Sequence, residues 1–140
     1  MNDPSPKSIV TTAEIIDRLT QATVDLLWSS ESDYPFELVT WISGTELTAV
    51  ALFQGLDDAD LEIESMTLTD LFKPVLVVED WYEAAELAQI DRYKNLLQAI
   101  ESSLADVQVF RVGEVEIAIY IVGRTSVGDL VGLKTYVVET

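Results

Sequence analysis

Apolar residues near the end of the chain recur with the period of a β-strand. Within residues 114–122, every second position is β-branched: Val115, Ile117, Ile119 and Ile121. This alternation is typical of a strand with one face fully buried. The other face of the segment becomes apolar only toward its end, which predicts a strand near the centre of a sheet. Residues 107–110 and 130–138 are also rich in β-branched side chains, so we expect sequential, mostly antiparallel strands.

The N-terminal part of the chain has the pattern of an amphipathic helix. Thr11 and Glu14 have the spacing of a capping box, in which each side chain binds a backbone N–H of the other residue. Apolar residues follow at helical spacing, so we expect a helix of about four turns that ends near Trp28. Residues 29–35 are rich in turn formers and predict a loop.

The middle of the chain is less regular. Residues 36–42 alternate like a strand, and residues 60–66 alternate like a strand at an exposed sheet edge, with Ile63 facing inward. Residues 45–54 leave two interpretations open, because their alanine and leucine content favours a short helix but a strand also fits. Residues 67–72 predict a short capped helix.

A second pair of residues with capping-box spacing, Asp80 and Glu83, precedes the longest helical stripe. It predicts a helix over about residues 81–104 with Asp80 as its N-cap. Helices combined with sequential strands indicate an α+β fold. Because both faces of residues 114–122 carry apolar side chains, we expect helices on both sides of a mostly antiparallel sheet, in a three-layer α/β/α sandwich.

Length and composition predict one domain without disulfides. The chain has 140 residues, of which we expect 1–10 to be a flexible N-terminal arm and 11–140 to be a single domain. It contains no Cys, which excludes disulfides, and no His, the commonest general base and transition-metal ligand. The sequence shows neither a secretion signal nor a run of apolar residues that could cross a bilayer, so we expect a cytoplasmic protein without a membrane partner.

The charge balance is strongly acidic. Eight Lys and Arg residues face 25 Asp and Glu residues, which gives a net charge of −17. No cation lies between Arg18 and Lys73, a stretch that holds 11 acidic residues. Such a field repels nucleic acid and attracts basic surfaces. Composition alone, however, favours solubility as the explanation.

The carboxylates invite two chemical interpretations that their spacing does not support. Glu31 and Asp33 lie close together in the predicted loop, but nothing in the sequence supplies the pocket that a catalytic pair needs. Residues 57–64 are as acidic as a calcium loop, but the EF-hand positions for Gly and the final Glu are taken by Ile63 and Thr69. The glycines also lack the spacing of a phosphate-binding loop. We therefore expect neither an enzyme nor a cofactor.

Four blocks of sequence together resemble the nuclease A inhibitor family. They are residues 30–37 (SESDYPFE), 80–82 (DWY), 109–116 (VFRVGEVE) and 137–140 (VVET). The resemblance covers residues 12–42 and 79–140, and residues 43–75 match poorly. It implies a sandwich similar to the pathogenesis-related protein fold. It also implies an acidic inhibitor of a sugar-non-specific endonuclease of the ββα-metal type.

The same resemblance implies which residues meet the nuclease. Glu31 is expected in the catalytic cleft, Trp81 against the nuclease surface, and Thr140 at the nuclease's catalytic magnesium. The only expected metal contact is therefore that of Thr140 with the partner's Mg²⁺. We expect a protein that is a monomer alone, forms a 1:1 complex with a basic endonuclease, and does not bind nucleic acid directly.

Two alternatives remain open at this point. A tryptophan at a helix start is more often half-buried packing than a binding anchor, although Trp is enriched at interface hot spots. The whole chain could also be an acidic interaction module for another basic, nucleic-acid-binding partner. That second reading keeps the charge argument and gives Thr140 no role.

Overall fold

The computed structural model describes residues 11–29, 33–41, 44–53 and 62–138. The helices are α1 (Thr12–Thr23), α2 (Ala49–Phe53), α3 (Leu68–Phe72) and α4 (Ala84–Ser103). The strands are β1 (Leu27–Ser29), β2 (Asp33–Pro35), β3 (Glu37–Thr40), β4 (Ile63–Met66), β5 (Ala105–Val112), β6 (Glu116–Arg124) and β7 (Leu130–Val138). The predicted N-terminal arm, residues 1–10, lies outside the described residues.

Five strands form one sheet in the order β3-β7-β6-β5-β4, and every neighbouring pair is antiparallel. The α+β class is therefore confirmed, as is the central position predicted for residues 114–122. Strand β6 pairs with β7 from Glu116–Val138 to Arg124–Leu130. A Cβ atom at Gly132 would collide with the carbonyl oxygen of Ile121, so this close pairing requires glycine.

Apolar clusters lie on both faces of the sheet. On one face, Ile119 and Ile121 are buried in a cluster with residues of α1, α3 and α4. On the other face, Val122 belongs to a smaller cluster that contains Phe53 of α2. The two-sided pattern of residues 114–122 thus has a structural counterpart. The complete three-layer sandwich and its similarity to the pathogenesis-related protein fold stay predictions.

The first helix is shorter than its periodicity predicts. The capping box of Thr11 and Glu14 is present, but α1 ends at Thr23. Asp25 then takes a left-handed conformation (φ 58°), which turns the chain into β1. Trp28 is buried there with its ring edge-on to Phe72, at a centroid distance of 5.4 Å. Local spacing does not reveal this contact with a residue far along the chain.

The described flanks of residues 29–35 are strands rather than loop. Strands β1 and β2 pair antiparallel as a hairpin, from Leu27–Pro35 to Ser29–Asp33. The prediction of a plain loop was therefore wrong for the two flanks of this segment. Residues 30–32 lie outside the described residues.

The longest helix begins one turn later than predicted. Its N-cap is Glu83 rather than Asp80, and the backbone N–H of Glu83 donates to Glu86 Oε1 over 2.9 Å. Asp80 with Glu83 and Glu83 with Glu86 both have capping-box spacing, and the capping box is formed by Glu83 and Glu86. The backbone N–H of Tyr82 instead donates to the carbonyl of Glu79 over 3.1 Å. Trp81 therefore lies in a turn before the helix.

The middle segments agree with the sequence pattern in type and differ in detail. Residues 45–54 contain the short helix α2, which settles the open choice for this segment. Helix α3 is short and capped, as predicted: its N-cap is Thr67, whose hydroxyl accepts from the backbone N–H of Asp70. Strand β4 occupies a sheet edge, as predicted. Ile63 pairs with Val112, a residue of the smaller apolar cluster, and so lies on that face of the sheet, as predicted. It is nevertheless 39% exposed, since an edge strand has a neighbour on one side only.

Candidate partner-binding surface

The hairpin of β1 and β2 flanks the segment that contains Glu31. Ser29 and Asp33 are the last paired residues on its two sides. Glu31 itself lies outside the described residues. The hairpin forms a separate two-stranded sheet, so its position depends on contacts other than the main sheet's hydrogen-bond ladder.

Strand β7 supplies those contacts. The hydroxyl of Thr135, a buried residue, donates to the carbonyl oxygen of Pro35 over 3.0 Å and lies 3.4 Å from that of Tyr34. The rings of Tyr34 and Tyr136 meet at a centroid distance of 5.5 Å. The hairpin is thus joined to the last strand by polar and aromatic contacts.

Lys134 reinforces the same part of β7. Its ammonium group lies 5.0 Å from the ring centroid of Tyr136 and 5.4 Å from that of Tyr120. A hydrogen bond with the Tyr136 side chain raises the pKa of Lys134, although partial burial works in the opposite direction. The lysine therefore holds the two tyrosines together as a cation.

The end of β7 carries the predicted metal-contacting residue. Val138 is the last described residue, and it pairs with Glu116 of the central strand. Thr140 lies two positions beyond it, outside the described residues. Its predicted contact with a partner's Mg²⁺ stays a prediction.

Trp81 is not a core residue. Its side chain is 69% exposed, and its ring stands edge-on to Tyr82 at a centroid distance of 4.6 Å. Val77 and Val78, shortly before it in the chain, are also exposed. The packing alternative for Trp81 is therefore wrong, and an exposed aromatic residue with apolar neighbours is typical of an interaction site.

Tyr93 lies near both the Trp81 turn and the hairpin. It lines the same small cleft as Tyr82 of the turn. The Tyr93 hydroxyl donates to the carbonyl oxygen of Leu27 over 2.6 Å, and its ring contacts that of Trp28. Tyr93 is thus bonded to β1 and shares a cleft with the Trp81 turn. The hairpin is in turn bonded to β7 through Thr135.

Sequence reasoning gave neither Thr135 nor Tyr93 a role in the candidate surface. Thr135 stands between Leu133 and Val137 on the buried face of β7, where the alternation predicts an apolar residue. A polar residue at such a position needs a hydrogen-bond partner. The sequence therefore indicates that Thr135 needs a hydrogen-bond partner, but it does not indicate that this partner lies in the hairpin.

The described residues show no metal site of their own. In residues 11–29, 33–41, 44–53 and 62–138, no three His, Cys, Asp or Glu side chains gather where they could hold an ion. No helix in this part of the chain is long and apolar enough to cross a membrane. The protein is strongly acidic, and within the described residues the Trp81 turn carries an exposed aromatic side chain.

Comparison with known families decides what kind of protein this is. The family model described as nuclease A inhibitor-like protein matches residues 13–140. The chain belongs to this family. The matched range includes the hairpin, the Trp81 turn and β7, and membership in this inhibitor family indicates a nuclease as the partner. No curated protein matches the sequence.

In this nuclease A inhibitor-like protein, Glu31 and Thr140 lie outside the described residues. Thr135 of β7 is bonded to Pro35, which follows the Glu31 segment, and Tyr93, which is bonded to the hairpin, lines the same cleft as Tyr82 of the Trp81 turn. Of the three, Trp81 lies within the described residues, and it is exposed as a partner-binding residue must be.

Proposed function

We propose that this chain is a stoichiometric, non-catalytic inhibitor of a sugar-non-specific endonuclease of the ββα-metal type. The family match over residues 13–140 carries the proposal. The exposed Trp81 and the net charge of −17 support it.

Electrostatics brings the two proteins together. A nuclease is basic around its cleft because it must hold phosphates, so a strongly acidic protein is steered toward that cleft. Exposed ion pairs contribute little binding free energy each. An apolar anchor is therefore needed for tight binding, and Trp81 supplies it.

Oxygen groups then block the chemistry. Glu31 takes the place of a backbone phosphate in the cleft. Mg²⁺ prefers hard oxygen ligands and keeps positions open for phosphate oxygens. Where Thr140 is the last residue of the protein, its hydroxyl and carboxylate are such ligands, and the nuclease cannot cleave them as it cleaves a substrate.

One titration tests the proposal. The protein is added stepwise to a ββα-metal endonuclease with Mg²⁺, and DNA cleavage is followed. We expect a linear loss of activity that ends at a 1:1 ratio. Full cleavage at an excess of the protein, across several nucleases of this type, contradicts the proposal.

A further inference from the structure

A small cleft lies between the Trp81 turn and helix α4. Its walls include the side chains of Val75, Tyr82 and Ile90, and its polar rim includes Glu86 and Gln89. The cavity volume is about 250 Å³. Pockets for drug-sized molecules start at roughly 300 Å³. The cleft therefore suits a single side chain of a partner rather than a free small molecule.

The polar groups in the cleft differ in whether they already have hydrogen-bond partners within the protein. The Gln89 amide donates to the Tyr93 hydroxyl over 3.1 Å, and that hydroxyl donates to Leu27. These groups are satisfied within the protein. Glu86 uses Oε1 to accept from the backbone N–H of Glu83, and its half-buried side chain lines the cleft.

The surroundings of the cleft are acidic. Glu79, Asp80 and Glu83, which lie near the lining residue Tyr82 in the chain, are exposed, and the sequence has no Lys or Arg between Lys73 and Arg92. An apolar side chain would find matching walls but would meet this acidic rim at its entrance. A long cationic side chain suits both the apolar walls and the acidic rim, because its carbon stem packs on apolar surface while its charged end stays at the rim.

We infer that this cleft receives an arginine side chain from the partner. The stem packs against Val75 and Ile90, the guanidinium group stacks on the Tyr82 ring, and its N–H groups donate to the Glu86 carboxylate. Arginine suits these contacts better than lysine because its planar group both stacks on aromatic rings and binds carboxylates in a fixed geometry. The inference rests on the proposed function in one respect, namely that the partner is a basic nuclease.

A nuclease-free experiment tests the cleft itself. N-acetyl-arginine amide is titrated into the protein, and backbone and side-chain NMR shifts are followed. Its neutral analogue N-acetyl-citrulline amide, which has nearly the same shape, is the matched control. We expect the arginine compound to shift Tyr82 and Ile90 with a dissociation constant on the order of millimolar, and the citrulline compound to shift them far less.

The variant Glu86→Gln sharpens this test. Glutamine also occupies this position of a capping box, so the helix start is kept while the charge is removed. We expect Glu86→Gln to abolish the preference for arginine over citrulline. Equal binding of the two compounds to the native protein would show an apolar pocket, and absence of shifts at Tyr82 and Ile90 would show no side-chain site. Either result overturns the inference.

The complex with a nuclease provides the second readout. We expect Glu86→Gln to raise the dissociation rate by roughly tenfold, as for loss of a hydrogen bond to a charged group. Glu101→Gln, an exposed acid near the other end of α4, should leave the dissociation rate unchanged. If the native protein inhibits the nuclease but Glu86→Gln and Glu101→Gln dissociate at the same rate, the inference of an arginine cleft is overturned and the proposed function is not. Absence of any inhibition contradicts the proposed function, and the arginine titration then decides the cleft separately.

Discussion

The hydroxyl of Thr135 donates to the carbonyl oxygen of Pro35 over 3.0 Å, from the last strand of the sheet to the hairpin. The two residues are far apart in the chain, and β2 and β7 belong to different sheets. The bond therefore joins the described flank of the Glu31 segment to the strand that leads to Thr140. If both ends contact one partner, their relative position depends on this joint.

Replacing Thr135 with Val tests the joint. The variant keeps the shape and removes the hydroxyl, so the carbonyl oxygen of Pro35 loses this donor. We expect the free energy of unfolding, measured in urea, to fall by about 1–2 kcal/mol. We also expect weaker nuclease inhibition, because the hairpin is no longer held against β7.

The control for that variant is Thr125→Val. Thr125 is also buried, and its hydroxyl is bonded in the loop before β7, at the other end of that strand. The Thr125→Val variant should lose stability to a similar extent and still inhibit the nuclease. Equal loss of inhibition in both variants would mean that Thr135 acts through general stability only.

Deleting Thr140 tests the metal contact. We expect a large loss of inhibition, because Mg²⁺ loses the oxygen ligands that block it. The melting temperature should not change, because Val138 and the strand before it remain paired. A cleavage assay measures the inhibition, and a thermal scan measures the melting temperature.

Adding one residue after Thr140 separates the inhibitor from the alternative acidic module. Where Thr140 is the last residue of the protein, the added residue displaces its terminal carboxylate, so active-site blocking should weaken strongly. A module that binds by charge alone should be unaffected. Unchanged inhibition in both the deletion and the extension would remove the metal contact from the mechanism.

Trp81→Ala tests the aromatic anchor. We expect the affinity for the nuclease to fall by about 2 kcal/mol or more, as for other interface hot spots. Stability should change by no more than about 0.5 kcal/mol, because the side chain is mostly exposed. Val127→Ala, in the exposed loop before β7, is the control and should affect neither quantity. A Trp81 variant that binds with native affinity would contradict the anchor.

Glu31→Ala distinguishes a cleft contact from a steering charge. A group that replaces a phosphate in the cleft is bound in the complex, so its loss should appear mainly in the dissociation rate. Surface plasmon resonance at two salt concentrations measures both rates. An effect confined to the association rate, similar to that of Glu101→Ala, would make Glu31 one of many steering charges.

The raised pKa of Lys134 predicts a pH dependence. Because the folded pKa lies above the ordinary 10.5, the stabilisation from this lysine is fully present below pH 10.5 and is lost as the pH rises through the folded value. The difference in unfolding free energy between native protein and Lys134→Met should therefore shrink at alkaline pH. Lys94→Met, at an exposed position on α4, should show no such change. A difference that stays constant to the highest pH would rule out the protonated lysine as its source.

Local sequence predicted much of this fold. Thr11 and Thr67 act as helix caps because capping depends on residues three positions away. The alternation in residues 114–122 predicted a central strand because burial on both faces leaves a record within the strand itself. The acidic charge and the four family-like blocks likewise needed no structure, and they predicted the family that residues 13–140 match.

Tertiary structure decided the features that depend on distant residues. Helix α1 stops early, and Trp28 beyond it packs against Phe72 and Tyr93. The start of helix α4, by contrast, is a choice between two local acid pairs of equal spacing, and the structure shows that Glu83 and Glu86 form the capping box. The structure also shows that Trp81, in the turn before this start, is exposed. The joint between Thr135 and Pro35 closes over a separation of 100 residues, and no local pattern records which carbonyl will meet a buried hydroxyl.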